Sequence, residues 1–117
     1  MIVKNQKAKQ AILAALADQE MMKILDCALF HLKSVNDIIK ECEIPHTTAY
    51  RKIKWLLGEN LLVVDKIEIT QDGKKFSLFR SVFKSISVRY DLGNILVEAE
   101  ESFDIVDKVT ETFFSLE

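Results

Sequence analysis

The hydrophobic positions in the first third of the chain recur at helical spacing. Residues 7–17 are rich in alanine and leucine and contain no run of β-branched residues, which predicts a helix. Asp18 can cap a second helix directly after it. The apolar stripe of that second helix consists of Met21, Ile24, Leu25, Ala28, Leu29 and Leu32. The pattern predicts that this helix ends near residues 31–33.

Two shorter helices are predicted next, joined by a tight turn. Ser34 followed by Asp37 is typical of a capping box, with Asp in place of the more usual Glu. Pro45, the single proline, is expected to stop the short helix that follows and to lie in the first turn of the next one. That next helix spans residues 46–59. Asn60 suits a left-handed stop, since Asn tolerates positive φ.

The helix over residues 46–59 has an apolar and a polar side. The side expected to face the protein carries Ala49, Ile53, Leu56 and Leu57. The opposite side carries Thr47, Arg51, Lys54 and Trp55, with Thr48 at its edge. Trp55 is expected to pack on the core or on the following hairpin rather than to stack on a base. The remaining residues of this outer side are polar or cationic.

After Asn60 the period changes from helical to alternating. Residues 61–70 and 74–80 predict two strands joined by a tight turn at 71–73, where Asp-Gly is a strong hairpin signal. A second hairpin is predicted around a turn at residues 91–94.

Residues 100–117 predict a final amphipathic helix with Ser102 as its cap. Its apolar stripe consists of Phe103, Val106, Val109, Phe113 and Phe114. A single short amphipathic helix needs a partner surface to be stable, so it must cover the domain or pair with a second copy.

Two short helices followed by a hairpin with a basic tip form the layout of a winged helix-turn-helix. The fold class predicted is therefore α+β, with a three-helix core and a β-hairpin wing. At 117 residues the chain has room for one domain. Its predicted parts are an N-terminal helix (1–19), the winged-helix core (20–80), a second hairpin (81–100) and a C-terminal dimerisation helix (101–117).

Charge and composition narrow the class of protein. Residues 45–84 carry eight Lys or Arg against four acids, whereas residues 91–117 carry one Lys against eight acids. Such separation suggests a middle third that meets an anionic partner and a tail that does not. No apolar run is long enough for a membrane span or a signal peptide, and the two cysteines form no disulfide framework. A cytoplasmic protein is expected.

The stretch from Ser34 to Val63 resembles the core of prokaryotic, archaeal-type winged-helix regulators of the ArsR-like class, and the resemblance covers about residues 20–80. It implies a transcriptional regulator that binds double-stranded DNA sequence-specifically and forms a homodimer through its terminal helices. Asn60 and Glu43 depart from the pattern, because glycine is common at both positions.

The resemblance assigns DNA contacts to two parts of the chain. The predicted recognition helix (46–59) would enter the major groove and the wing (70–75) would lie on the flanking backbone. The implied DNA-binding residues are His46, Thr47, Thr48, Tyr50, Arg51 and Lys54 in the helix, and Lys74 and Lys75 at the wing tip. Elementary chemistry agrees, because Arg is the commonest reader of guanine and Thr hydroxyls suit phosphate oxygens.

Other kinds of site have less support. Cysteine and histidine stand four apart twice, at Cys27 with His31 and at Cys42 with His46, but the two pairs are expected to point apart, so no metal site is predicted. The positions where metal-sensing relatives of the resembled family carry cysteines are occupied by Ser34 and Asn36. No phosphate loop or nucleophile elbow is present, so neither an enzyme nor a cofactor is expected.

Two alternatives stay open. A winged helix can serve as a protein–protein interaction module within a transcription-related assembly, since a fold does not decide a function. A small molecule could also bind between the terminal helices and the core, although the sequence names no effector.

Overall fold

The computed structural model describes residues 1–102. Its elements in chain order are α1 (Gln6–Leu16), α2 (Gln19–Cys27), α3 (Val35–Cys42), α4 (His46–Gly58), β1 (Leu62–Ile69), β2 (Lys75–Ser81), β3 (Phe83–Asp91) and β4 (Asn94–Glu101). β1 pairs with β2 and β3 pairs with β4, both antiparallel. Helices α2 to α4 followed by the β1–β2 hairpin form a winged helix, so the predicted α+β fold is confirmed.

Side-chain caps fix where three of these helices begin. The Asp18 carboxylate accepts a hydrogen bond from the Met21 amide at 3.0 Å, as the sequence predicts. Ser34 and Asp37 form a complete capping box, with hydrogen bonds of 3.1 and 3.0 Å between each side chain and the other's amide. At α1 the cap is Asn5. Each cap satisfies an amide that the helix itself leaves without a partner.

Helix α2 ends at Cys27, earlier than the apolar stripe predicts. The reason is competition from β pairing. Lys33 and Phe79 exchange two backbone hydrogen bonds, of 3.1 and 2.7 Å, which require an extended chain at Lys33. The Ala28 carbonyl accepts from the Ser81 amide at 3.1 Å, so the end of α2 is also tied to β2.

The turn between α3 and α4 differs from the prediction in the role of Pro45. Glu43 adopts a left-handed conformation, with φ 53°, and ends α3 at Cys42 without help from proline. Pro45 then occupies the capping position before α4 rather than its first turn. The left-handed stop predicted at Asn60 is confirmed, with φ 59°.

One core joins the helices to both hairpins. Its largest fully buried side chains are Ile12, Ile24, Ile38, Leu56, Leu61, Leu62, Val3, Val82 and Val97. The second hairpin is held in place by the amino terminus, because Val3 donates its amide to the Val97 carbonyl at 2.8 Å. Within residues 1–102 no helix is both long and apolar enough to cross a membrane.

The predicted C-terminal helix does not begin at Glu100, because Glu100 and Glu101 are the last residues of β4. Ser102 is the residue that follows β4, and it is buried. Its amide donates to the Val82 carbonyl at 2.7 Å and its hydroxyl donates to the Ser81 carbonyl. The rest of that predicted helix lies outside the described residues.

Candidate nucleic-acid interface

Helix α4 has an apolar and a polar side as its sequence predicts, except that Leu57 is only half-buried and Tyr50 rather than Trp55 completes the polar side. Ala49, Ile53 and Leu56 face the core and are at most 3% exposed. Four residues at i, i+3, i+4 and i+7 spacing form the solvent side, which we call the outer face of α4, and all are exposed: Thr47, Tyr50, Arg51 and Lys54. A helix with this division offers hydrogen-bond donors and positive charge to a partner in solution.

Three further residues of α4 lie near its outer face: His46, Thr48 and Trp55. The rings of His46 and Tyr50 stack with centroids 5.0 Å apart and planes within 10°, which orients both at the beginning of the helix. Thr48 is half-buried. Trp55 is also half-buried and packs against the core, as predicted.

A buried lysine on α4 was missed by the sequence reasoning. The Lys52 ammonium lies 2.5 Å from an Asp18 carboxylate oxygen and 3.0 Å from a Glu20 carboxylate oxygen, both on or beside α2. These hydrogen bonds raise the pKa of Lys52, and the bond to Lys52 is the main cause of the lowered pKa of Asp18. The contact ties α4 to α2 and so fixes how the outer face is presented. The only sequence signal was a lysine that precedes Ile53 on the apolar side.

The wing tip is a tight turn built around Thr70. The Thr70 amide donates to the Lys74 carbonyl at 2.8 Å, and the Gly73 amide donates to the Thr70 carbonyl at 3.0 Å. The Thr70 hydroxyl accepts from the Lys74 amide at 3.0 Å. Gly73 has φ 84°, a conformation that favours glycine. The hydroxyl of Thr70 further donates to Asp72. The turn leaves Lys74 and Lys75 exposed at the end of the hairpin.

The base of the wing is fixed on both of its strands. Arg80 of β2 donates to the Asp65 carboxylate at 2.7 Å across the hairpin. The bulge at Asp65 lies between the paired positions Val64 and Lys66. The backbone bonds between Lys33 and Phe79 attach β2 to the segment before α3. The wing is therefore tied to the segment that leads directly into α3.

A groove of about 740 Å³ brings the wing, α3 and α4 together. Of the predicted site residues, Tyr50, Lys74 and Lys75 line it, while Thr47, Arg51 and Lys54 lie outside it on the outer face of α4. Sequence reasoning did not place Ser34 and Asn36 in this site, yet they line the same groove, as does Thr70 of the predicted wing. The capping box was the signal that Ser34 and Asn36 begin a helix, and helix beginnings attract anions.

The cysteines lie together between α2 and α3 rather than in separate sites with the histidines. The Cys27 thiol is 3.7 Å from a Glu41 carboxylate oxygen, and the Cys42 thiol donates to the Lys23 carbonyl at 3.5 Å. Burial raises the pKa of the Cys27 thiol to about 12 and also raises that of Cys42. Among residues 1–102 no three His, Cys, Asp or Glu side chains converge on a point that could hold a metal ion.

Comparison with known proteins gives a weak structural likeness and no match in sequence. No family model matches the chain, and no curated protein matches it significantly in sequence. The solved structure of NolR from Sinorhizobium fredii is similar to it, with 15% sequence identity and a TM-score of 0.44, over 91% of this chain and 77% of that one. A TM-score of this size decides nothing about function, so the function is inferred from the chain's own geometry.

Proposed function

We propose that this protein is a transcriptional regulator of the ArsR-like winged-helix class that binds double-stranded DNA sequence-specifically in the cytoplasm. The proposal rests on one groove that Tyr50 of the outer face of α4 lines together with Lys74 and Lys75 of the wing tip. Arg51 and Lys54 are exposed on the same face of α4 as Tyr50. A helix with exposed Arg51 and Lys54 can reach base edges in a major groove. Lys74 and Lys75 at the tip of the wing can then contact the flanking phosphates.

The charge of the chain supports the same partner. The segment from residue 45 to residue 84, which contains α4 and the wing, carries the +4 excess. Lys52 is neutralised by Asp18 and Glu20, and Arg80 by Asp65, so the free positive charge is concentrated on α4 and the wing tip. Positive charge arranged on one face attracts the phosphate backbone and steers association.

We further propose that the protein acts as a homodimer through its terminal helices. A two-fold axis would place two copies of α4 about one helical turn of DNA apart, on a roughly palindromic site. α1 is available for such an interface, because Lys7, Gln10 and Ala14 along its length are exposed.

The alternative, a winged helix used for protein contact, is favoured by one observation. Ile67 and Ile69 on β1 are 60% and 65% exposed, and both point to the same side of the wing. Under that alternative, replacing these two isoleucines would abolish partner binding, whereas duplex binding would not be measurable at low salt.

Replacing Arg51 and Lys54 by alanine tests the proposal. The double variant R51A/K54A is expected to bind a selected duplex more than about tenfold more weakly, since each base or phosphate contact contributes about 1–3 kcal/mol. Its melting temperature should be unchanged, because both side chains are exposed. The matched control K4A/K23A removes two exposed charges that lie outside both α1 and α4 and should bind normally. Equal affinity of R51A/K54A and wild type for the duplex would show that the outer face of α4 does not contact DNA.

A further inference from the structure

The second hairpin has one apolar face that the described residues cover only in part. Side chains opposite one another on that face, by the pairing register, are Ile86 with Ala99, Val88 with Val97, and Tyr90 with Ile95. Part of this face is buried, since Val97 and Ala99 of β4 are at most 2% exposed. The rest of the face is open: Tyr90 is 74%, Ile95 43% and Val88 42% exposed. We call these last three residues the outer strip.

The other face of the same hairpin has a different composition. Apart from Leu96, it carries polar and charged side chains: Ser85, Ser87, Arg89, Glu98 and Glu100. A hairpin that was free in solution on both faces would have no reason to keep an apolar face beyond the part that the core covers. The outer strip therefore has the character of a surface that another segment covers.

The outer strip is continuous with the core of the domain. Ile86, next on the same face, borders a cleft of about 160 Å³ that is also lined by Leu16, Leu25 and Leu29 from the first two helices. At the other edge Lys9 of α1 donates to the Ile95 carbonyl at 3.4 Å. A helix laid on the outer strip would extend the helical layer that already covers the base of the hairpin.

We propose that residues 103–117 of the same chain pack as an amphipathic helix on the outer strip. These residues follow Ser102, which two hydrogen bonds fix at the base of the hairpin. Fifteen helical residues would extend about 22 Å at 1.5 Å per residue. Eight strand residues span roughly 27 Å, so a helix of this length would cover most of the hairpin from its base towards its tip. A segment tethered at the base also has a high effective concentration at the strip.

The sequence of this segment fits the surface. Its apolar stripe of Phe103, Val106, Val109, Phe113 and Phe114 matches the strip in character. The segment has a net charge of −3, and the cationic Lys9 lies at the rim. The packed helix would lie beside α1, so its outward side and α1 would share one side of the molecule. The packing itself needs no second copy, and it stands whether or not the protein binds DNA.

Tyrosine reactivity tests the packing in the full-length protein. The chain has two tyrosines, and Tyr50 on α4 serves as an internal reference for Tyr90 on the strip. Oxidation by hydroxyl radicals is followed by mass spectrometry in wild type, in V109D/F113D, and in the control T112D/S115D, which adds the same two charges opposite the stripe. We expect Tyr90 to react several-fold faster in V109D/F113D than in wild type and the control, with Tyr50 unchanged. Equal Tyr90 rates in wild type and V109D/F113D would overturn the proposal.

A second measurement covers the case in which V109D/F113D unfolds and both tyrosines become reactive. The variant V88C/F113C is oxidised at low protein concentration, and the disulfide is located by peptide mapping. The native cysteines interfere little, since Cys42 is buried and the raised pKa of Cys27, about 12, keeps its thiolate scarce. A disulfide within one chain supports the proposal. Disulfides between chains, or none at all, contradict it, and the former would identify a second copy as the occupant.

Discussion

At the scale of single residues, the position of α4 depends on Lys52, which is buried between α4 and α2 and is not part of the outer face. The Lys52 side chain is 9% exposed and its ammonium is held by two carboxylates from the start of α2. Asp18 has two functions there, because the same carboxylate caps α2 through Met21. Loss of the charge on Asp18 would therefore loosen the beginning of one helix and its contact with another.

This double role predicts a dependence of stability on acid. The pKa of Asp18 is lowered in the folded protein, so its contribution is present above the ordinary pKa of an aspartate and is lost as the pH falls below about 4. Asp37, whose pKa is lowered mainly by the Ser34 amide, acts in the same direction. The variant D18N keeps a capping oxygen but has no carboxylate to titrate, and Asp18 is 28% exposed in the folded protein. Between neutral and acid pH we therefore expect the free energy of unfolding to fall by about 1 kcal/mol less in D18N than in wild type.

Thermal melts from pH 7 to pH 3 measure this difference. The control D26N removes an exposed carboxylate from the same helix and should follow wild type. Parallel pH profiles for D18N and wild type would show that the pairing of Asp18 with Lys52 contributes nothing to folding.

A second residue-scale prediction concerns the turn of the second hairpin. Leu92 has φ 50° and is 93% exposed, followed by Gly93 with φ 82°. Two positive φ values favour Asn-Gly, because a leucine is sterically disfavoured there. The variant L92N is expected to gain about 1 kcal/mol, which raises the melting temperature by roughly 4–8 °C. L96N, an exposed strand position on the same hairpin, should give no gain, and a melting temperature of L92N below wild type would contradict the assigned turn.

At the scale of elements, local sequence signals predicted most of the fold. The capping box at Ser34, the Asp-Gly turn of the wing and the left-handed Asn60 depend on neighbours within four residues, and all three are present. The end of α2 was predicted too late, because the bonds between Lys33 and Phe79 join residues far apart in sequence. Such pairings leave no periodic signal.

The candidate site was predictable only in part for the same reason. The exposed side of α4 follows from helical spacing, which places Thr47, Arg51 and Lys54 together. The groove that joins Tyr50 to Lys74 depends on how the wing packs, and the ion pairs of Lys52 depend on how α2 crosses α4. Neither arrangement is encoded in a local pattern.

The two elements of the proposed interface should have separable effects on binding. Removing the wing lysines in K74A/K75A is expected to weaken binding to all duplexes alike and to lower the slope of affinity against salt by about one for each lysine that pairs with a phosphate. The helix variant R51A should instead change which sequences are preferred. A third wing lysine, Lys66, is paired with Glu68 at 3.3 Å, so K66A is the matched control. A changed sequence preference in K74A/K75A with an unchanged salt dependence would contradict these roles.

At the scale of the whole molecule, charge is separated along the chain. The segment with α4 and the wing carries the positive excess, whereas residues 91–117 carry one lysine against eight acids. Repulsion between that acidic end and phosphate would help to orient the protein with α4 and the wing towards DNA. Such orientation raises the rate of association and makes binding sensitive to salt.

Sequence-specific binding can be measured by titrating a fluorescent duplex, chosen by selection from random sequences, between about 50 and 200 mM salt. We expect saturable binding whose affinity falls linearly on a logarithmic scale as salt rises. We also expect a preference of about 10³-fold or more for the selected duplex over a scrambled one. The same affinity for both duplexes, or no binding even at the lowest salt, would contradict a sequence-specific DNA-binding role.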